Sequence, residues 1–384
     1  MLNGPFSPWP SYTEEEAEAV SRVLRSNQVN YWTGTECREF EKEFAAFAGT
    51  EYAVAVANGT VALDLALKGL GIGEGDEVIV TSRTFLASVS SIVTVGAIPV
   101  FADVDSDSQN ISADTVAPLI TSRTRAIIAV HLAGWPCDMD ALNELACNHK
   151  LSVIEDCAQA HGATYKGRPV GSLGHVAAWS FCQDKIMTTG GEGGMVTTND
   201  RELWSRMWSH KDHGKSWEAV YEREHPPGFR WLHESFGTNW RMTEMQAVLG
   251  RIQLKRMPLW HETRLKYACQ IWKTARALPG LRVPVVPDSV GHGAYKCYLF
   301  CESGNRDHLM QAIIDEGVPC FSGSCSEVYR EKAFEGTDWR PAQPLPVAHE
   351  LGETSLMFLV HPTLTKAEVD KTCQVLQKVV KDSQ

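Results

Sequence analysis

Between residues 52 and 155 the chain repeats one pattern five times. Short β-rich runs stand at 52–57 (YAVAVA), 77–81 (EVIVT), 98–102 (IPVFA), 126–131 (AIIAVH) and 151–155 (LSVIE), with helix-like stretches between them near 60–70, 85–95, 113–120 and 138–149. The runs are apolar at nearly every residue rather than at alternate ones, so both faces of each strand are expected to be covered. Strands that alternate with helices predict a mainly parallel sheet with helices on both sides. Two further runs, 176–181 (VAAWSF) and 194–198 (GMVTT), continue the series. At 384 residues the chain is too long for one compact core. We expect a large α/β domain over 1–250, with a mainly parallel, mixed sheet, and a smaller α+β domain over 251–384.

The flanks fit that division. Thr13 with Glu16 three residues on is a capping box, and Phe40, Phe44 and Phe47 form a helical stripe that stops at Gly49. After Pro226-Pro227 the texture changes: 243–256 (TEMQAVLGRIQLKR) predicts a long helix. Pro258, Pro279, Pro284 and Pro287 are expected to break the chain beyond it into shorter elements. Residues 364–381 form an amphipathic helix with Val369, Cys373, Leu376 and Val379 on one side.

Composition excludes several functions. The net charge is −11, and an acidic surface repels phosphate backbones and anionic lipid, so neither nucleic-acid nor membrane binding is expected. No apolar run approaches the roughly 18 residues that a spanning helix needs, and the first residues lack a secretory pattern. The 11 cysteines are scattered, odd in number and without a C-x-x-C pair. They read as reduced thiols of a cytoplasmic protein.

Four places carry chemistry. In SFCQDKIMTTGGEGG (180–194), Lys185 follows a strand and precedes a glycine-rich turn. A P-loop is excluded, because there the lysine follows the glycines. Lys185 is either a surface residue or a Schiff-base lysine, since desolvation frees an amine for a carbonyl. In IEDCAQAHGA (154–163), Asp156 stands at the carboxyl end of a strand, where open α/β sheets gather ligand groups. It is a helix cap or the partner of a protonated ring nitrogen, and Gln159 could donate to a ring oxygen. His161 reads as a core or surface histidine. In ANGTVALDLAL (57–67), Gly59 and Thr60 open a helix whose N-terminus suits a phosphate, with Thr60 also a candidate N-cap and Ser180 a second donor. In TSRTFLAS (81–88), Phe85 is either core or a platform for a planar ring. A lysine, a carboxylate, a Gly-Thr helix start and an aromatic, all at carboxyl ends of successive strands, form a constellation for pyridoxal 5′-phosphate.

These residues carry a resemblance. From TGTECREFEKEFAAFAGT to LVHPTLT the chain resembles the sugar aminotransferase family called DegT/DnrJ/EryC1/StrS, among the fold-type I pyridoxal-phosphate enzymes. The family's S-F-x-x-x-K…G-E-G-G pattern stands as Ser180, Phe181, Lys185, Gly190, Glu192, Gly193 and Gly194. Its E-D-x-A-Q is Glu155, Asp156, Ala158 and Gln159, and its G-T-x-A-L is Gly59, Thr60, Ala62 and Leu63. Its G-x-N-x-R-M-T is Gly237, Asn239, Arg241, Met242 and Thr243. The chain departs in one extra residue between Lys185 and Glu192 and in Asn58, where serine is frequent.

The resemblance implies that Lys185 bonds to the cofactor, Asp156 pairs with its ring nitrogen, Gln159 approaches its ring hydroxyl and Phe85 stacks on it. Gly59, Thr60 and Ser180 would hold its phosphate. Asn239 and Arg241 would reach the phosphate of a second subunit, in a homodimer with shared sites. Arg241 could equally make a salt bridge at the start of the 243–256 helix. The implied reaction moves an amino group from an amino acid, L-glutamate by resemblance, to a nucleotide-linked keto-sugar. The implied setting is amino-sugar biosynthesis for lipopolysaccharide or O-antigen. Relatives that dehydrate the sugar carry histidine in place of the lysine, and Lys185 argues against that branch. The other rival is a non-catalytic, cofactor-bound regulator.

A nicotinamide dehydrogenase is disfavoured: Gly69, Gly71, Gly73 and Gly75 precede a strand, whereas a dinucleotide fingerprint follows one. Residues 204–240 hold Trp204, Trp208, Trp217, Trp231 and Trp240 among basic residues, which form either a packed flap or a receptor for the nucleotide sugar. His210-x-x-His213 lacks an acidic third ligand, so no metal is expected.

Overall fold

The computed structural model describes residues 5–302 and 305–382. Helices α1 (Glu14–Ser26) and α2 (Glu36–Ala48) precede β1 (Tyr52–Val56). The expected alternation comes next, as α3 (Gly59–Gly69), β2 (Glu77–Thr81), α4 (Ala87–Thr94), β3 (Ile98–Ala102), α5 (Ala113–Val116), β4 (Thr124–Val130), α6 (Met139–His149) and β5 (Ser152–Asp156). Helix α5 is a single turn because Pro118 converts the rest of the expected 113–120 helix into a 3₁₀ turn, 117–119. Then come a hairpin of β6 (Thr164–Tyr165) and β7 (Arg168–Pro169), and the strands β8 (Val176–Ser180) and β9 (Gly194–Thr198).

The large sheet has seven strands in the order β1-β9-β8-β5-β4-β2-β3. The pairs from β8 through β5, β4 and β2 to β3 are parallel, while β9 runs antiparallel to both β8 and β1. Every residue of β2, β8 and β9 is buried, which is why these strands read as unbroken apolar runs rather than alternating ones. Phe40 and Phe44 of α2 are fully buried in this core, each worth about 2 kcal/mol by burial.

Helices α7 (Arg201–Lys211) and α8 (Trp217–Tyr221) lead to α9 (Glu244–Ala275), which runs 32 residues. This corrects the expected break: Pro258 lies inside α9. An interior proline costs about 3 kcal/mol, but burial outweighs it here. Ala247 and Met257 pack in the large core, and Ala268, Ile271 and Trp272 pack in a second core. The helix also passes unbroken through position 250, where a domain boundary was expected. The second core lies beside a four-stranded antiparallel sheet, ordered β10-β12-β14-β13. Its strands are β10 (Leu281–Arg282), β12 (Cys297–Cys301), β13 (Cys320–Phe321) and β14 (Ser355–Phe358); β11 (Val290–Gly291) pairs instead with β6. Helices α10 (Arg306–Asp315), α11 (Pro346–Thr354) and α12 (Lys366–Asp382) complete the chain.

Candidate active site

The antiparallel β9 brings the chain's signature pieces to one edge. Val56, the last residue of β1, and Ser180, the last of β8, both pair with Gly194, the first of β9. Two glycines permit this crowding. A Cβ on Gly194 would lie 2.3 Å from the Asn58 carbonyl oxygen, and one on Gly59 would lie 2.5 Å from the Ser180 Cβ. A cavity of about 570 Å³ opens at this edge, and its walls include Thr60, Phe85, Asp156, Gln159, Ser180 and Lys185. Gly59 also lines it. Lys185 and Asp156 therefore face one space.

The N-terminus of α3 is capped by Asn58, whose side chain accepts from the Val61 N–H at 3.0 Å. This removes the reading of Thr60 as N-cap. The Asn58 carbonyl takes the Ala62 N–H. Among the described residues the N–H groups of Gly59 and Thr60 have no acceptor, so they and the helix dipole are open to an anion. The Ser180 hydroxyl accepts from the Cys182 N–H at 3.4 Å and sits against Gly59.

Asp156 is buried, and both its oxygens are fixed. Oδ2 accepts from the Ser88 hydroxyl at 2.8 Å, which lies 2.8 Å from the Thr84 hydroxyl, and Oδ1 accepts from the Ala158 N–H at 3.1 Å. Gln159 is oriented by the Ala133 N–H, which donates to its Oε1 at 2.8 Å. That bond leaves the amide NH₂ as the end able to donate. Phe85 is 69% exposed and lines the cavity, so it is not a core residue.

The preceding residue, Glu155, anchors this floor. It is fully buried and accepts from the N–H groups of Gly171, Leu173 and Gly174 at 2.9, 2.7 and 2.7 Å. Its Oε2 lies 2.9 Å from His131 Nε2, while His131 Nδ1 accepts from the Cys137 N–H, which leaves the ring proton on Nε2. Burial pushes the Glu155 carboxyl up, but the hydrogen bond from His131 and the backbone donors more than reverse this, holding it below its ordinary value.

Lys185 sits in a loop tied down from three sides. Its N–H bonds to the Cys182 carbonyl, its carbonyl accepts from Trp9 Nε1 at 2.8 Å, and the Thr188 N–H donates to Gln253 of α9 at 2.9 Å. Its amine stands 3.8 Å from Asp184 Oδ1 and 5.3 Å from the centre of the Tyr295 ring. The Tyr295 hydroxyl donates to Asp184 Oδ2. Burial works to raise the Asp184 pKa, but Lys185, the tyrosine hydroxyl and Lys296 together lower it. Sequence reading missed Thr84, Ser88, Trp9 and Tyr295. The first two are visible as hydroxyls one turn apart beside Phe85. The others come from distant parts of the chain and leave no local signal.

Asn239 and Arg241 do not line the cavity of their own chain. Asn239 is exposed, and Arg241 Nη1 makes a 2.7 Å salt bridge to the buried Asp212, just ahead of α9. Trp204, Trp208 and Trp217 pack on one another at 4.9 Å and lie away from the cavity. His161 is fully buried against Trp179 and Phe181, but among the described residues neither ring nitrogen has a hydrogen-bond partner.

The pattern defining the DegT/DnrJ/EryC1/StrS aminotransferase family matches residues 10–377. The chain is 38% identical over 365 residues to dTDP-3-amino-3,4,6-trideoxy-alpha-D-glucose transaminase from Streptomyces venezuelae, covering 93% of this chain and 91% of that one. It is 35% identical over 378 residues to GDP-perosamine synthase from Escherichia coli O157:H7, covering 97% and 98%. The solved aminotransferase from Psychrobacter cryohalolentis is 62% identical, with a TM-score of 0.97 over 98% of this chain and 99% of that one.

Proposed function

Because the chain belongs to the DegT/DnrJ/EryC1/StrS aminotransferase family, whose members depend on pyridoxal 5′-phosphate, we propose that it aminates a nucleotide-linked keto-sugar with L-glutamate as donor. The observation that carries this reading is that Lys185 and Asp156 share one cavity with the open start of α3. The residues present fit the cofactor. There is a carboxylate for its ring nitrogen, a cradle without side chains at Gly59 for its phosphate, and an amine for its aldehyde.

When bound, pyridoxal phosphate supplies a carbonyl that takes up amines and a ring that withdraws electrons from the substrate carbon. Asp156, fixed by Ser88 and Ala158, keeps a proton on the ring nitrogen. The Gln159 amide would donate to the ring hydroxyl, and Phe85 would cover one face of the ring. The N–H groups of Gly59 and Thr60, with the Thr60 and Ser180 hydroxyls, take the phosphate. Lys185 would tether the cofactor and would hold or move the proton at the substrate carbon.

We read the protein as a homodimer. Phe229, Trp231 and Phe236 are 77%, 80% and 101% exposed in one segment, and that much bare aromatic surface favours a partner. The same segment leads into Asn239 and Arg241, which by this reading serve the partner's phosphate. Eleven free cysteines favour the reducing cytoplasm, and no helix among the described residues is long and apolar enough to cross a membrane. Surface-polysaccharide synthesis is the setting we favour.

The test is spectroscopic. Loaded with pyridoxal phosphate, the protein should be yellow, lose that colour on addition of L-glutamate, and regain it when a nucleotide-linked keto-sugar is added. Colour that persists with every amino donor would favour the regulator and reject this function.

A further inference from the structure

The segment just after β11 forms a wall against Ala133, which holds Gln159, and against Asp184; Gln159 and Asp184 line the cavity. The Gly293 N–H donates to the Gly134 carbonyl at 2.6 Å and the Tyr295 N–H to the Ala133 carbonyl at 3.0 Å. Ala133 is the residue that orients Gln159. The wall is thus pinned beside the cofactor-facing floor, and it carries Tyr295 and Lys296. Two amines address the Tyr295 ring: Lys185 Nζ is 5.3 Å and Lys296 Nζ 4.7 Å from its centre, so they lie no more than about 10 Å apart.

The charges here do not balance. Arg264, fully buried behind the wall, has neither Nε nor Nη2 bonded, and its one hydrogen bond among the described residues is to the Tyr295 carbonyl at 3.4 Å. Lys185 and Lys296 lie near one carboxylate, Asp184, which is already engaged by the Tyr295 hydroxyl and by Lys185, and Arg264 adds a further positive charge near Lys296. Among the described residues Lys296 makes no ion pair and no hydrogen bond. A half-buried ammonium whose one close contact is the Tyr295 ring, beside a net positive cluster, is a place for an anion.

We propose that Lys296 is the site's oxyanion receptor, taking the carboxylate of the amino donor or the diphosphate of the nucleotide-linked sugar. The proposal rests on the aminotransferase reading, which supplies both anions. A carboxylate sits on the very carbon whose proton Lys185 moves, and a diphosphate sits one sugar ring away, so both fall within reach of a flexible lysine. Asp184 opposes either anion by its own charge and so limits how tightly each is held.

Anion binding tests this without turnover. Isothermal titration of the pyridoxal-phosphate-loaded protein uses glutarate in one arm and inorganic pyrophosphate in the other. K296M should weaken at least one of them about tenfold or more, and K296R should recover most of it. Loss with glutarate alone assigns the donor carboxylate; loss with pyrophosphate alone assigns the diphosphate. In a second variant, D184N should tighten the same anion, and only while Lys296 is present. Two results overturn the proposal: probes that bind K296M as tightly as the unaltered protein, or failure of both probes to bind the unaltered protein. The yellow band of the loaded protein is read in the same samples. Protein that never takes up the cofactor fails the aminotransferase reading, whereas loaded protein indifferent to K296M fails this one.

Discussion

Glu155, on the floor of the cavity, takes hydrogen bonds from three backbone amides and His131, and Asp156 beside it has both oxygens fixed. On the wall from 292 to 296, and in the interior behind it, the reverse holds. Lys296 has no polar partner among the described residues, Arg264 leaves two nitrogens bare, and both nitrogens of His161 are orphaned. A buried polar group with every partner in place cannot rearrange, so the floor is built to hold a geometry. A polar group left open within reach of a cavity is built to receive something, or else marks a tolerated cost. Substitution should separate these cases: floor residues should be intolerant even of isosteric change, and open ones tolerant until substrate is present.

The largest effect is expected where the two regions meet. Lys185→Ala should lower steady-state transamination by about 10³-fold or more, the scale of a lost acid–base group. The Gly59–Thr60 cradle should still retain the cofactor without a covalent link, which gel filtration of the loaded protein would reveal. On the floor, Asp156→Asn keeps shape but removes the charge. Turnover should fall about 100-fold or more, with a lowered midpoint of thermal unfolding, because an amide offers one acceptor oxygen where Ser88 and Ala158 use two. Activity within a few-fold of the unaltered protein would mean that the floor holds geometry alone and that its charge is idle.

The floor was also the legible part. Glu155-Asp156, Gln159 and the Gly59-Thr60 pair lie in short stretches at the carboxyl ends of strands, so local spacing places them at the sheet edge. Lys185 was legible for the same reason. Thr60 was misread as a cap because Asn58, one residue before the helix, competes for that role and lies in better position to bond Val61. Pro258 was misread as a break because local propensity says nothing of the two cores that hold α9 straight through it. The open wall was not legible at all. Lys296 lies over 100 positions beyond Lys185, and the 133–134 to 293–295 contacts, with the Tyr295–Asp184 hydrogen bond, bring its segment beside the floor. Asn239 and Arg241 carry a family pattern, yet this chain's own fold points Arg241 at Asp212.

Glu155→Gln probes whether the floor is as over-determined as its bonds suggest. A glutamine offers one oxygen where the carboxylate offers two, so at least one backbone N–H among Gly171, Leu173 and Gly174 must lose its acceptor. Losing a paired buried charge costs about 3 kcal/mol, measured as a lower midpoint in urea. The depressed Glu155 pKa gives the sign for pH. Its stabilisation is complete above its unfolded value and is lost as pH falls through its lower folded one. The variant's deficit should therefore shrink in acid. A deficit that stays constant from neutral pH to strong acid would assign the loss to packing instead of charge.

The smallest effect is the sharpest test of the open side. His161, His292 and His361 are each driven by burial from 6.5 to about 3; Lys185 and Arg264 add to this for His161, His261 for His292, and Arg264 and Lys296 for His361. All three are neutral in the fold and charge on unfolding. Their stabilisation is whole above pH 6.5 and drains as pH falls toward 3. His161→Phe removes one such group, and it strands no partner because neither ring nitrogen has one among the described residues. At pH 7 it should be neutral or stabilising by about 1 kcal/mol. Below about pH 6.5 its stability should fall less steeply than that of the unaltered protein, by up to about 1.4 kcal/mol per pH unit. Turnover should hold, since Trp179 and Phe181 would pack a phenyl ring as they pack the imidazole. If His161→Phe instead unfolds the protein at neutral pH, its nitrogens are bonded in solution, and an orphaned atom behind the wall no longer marks a tolerated cost.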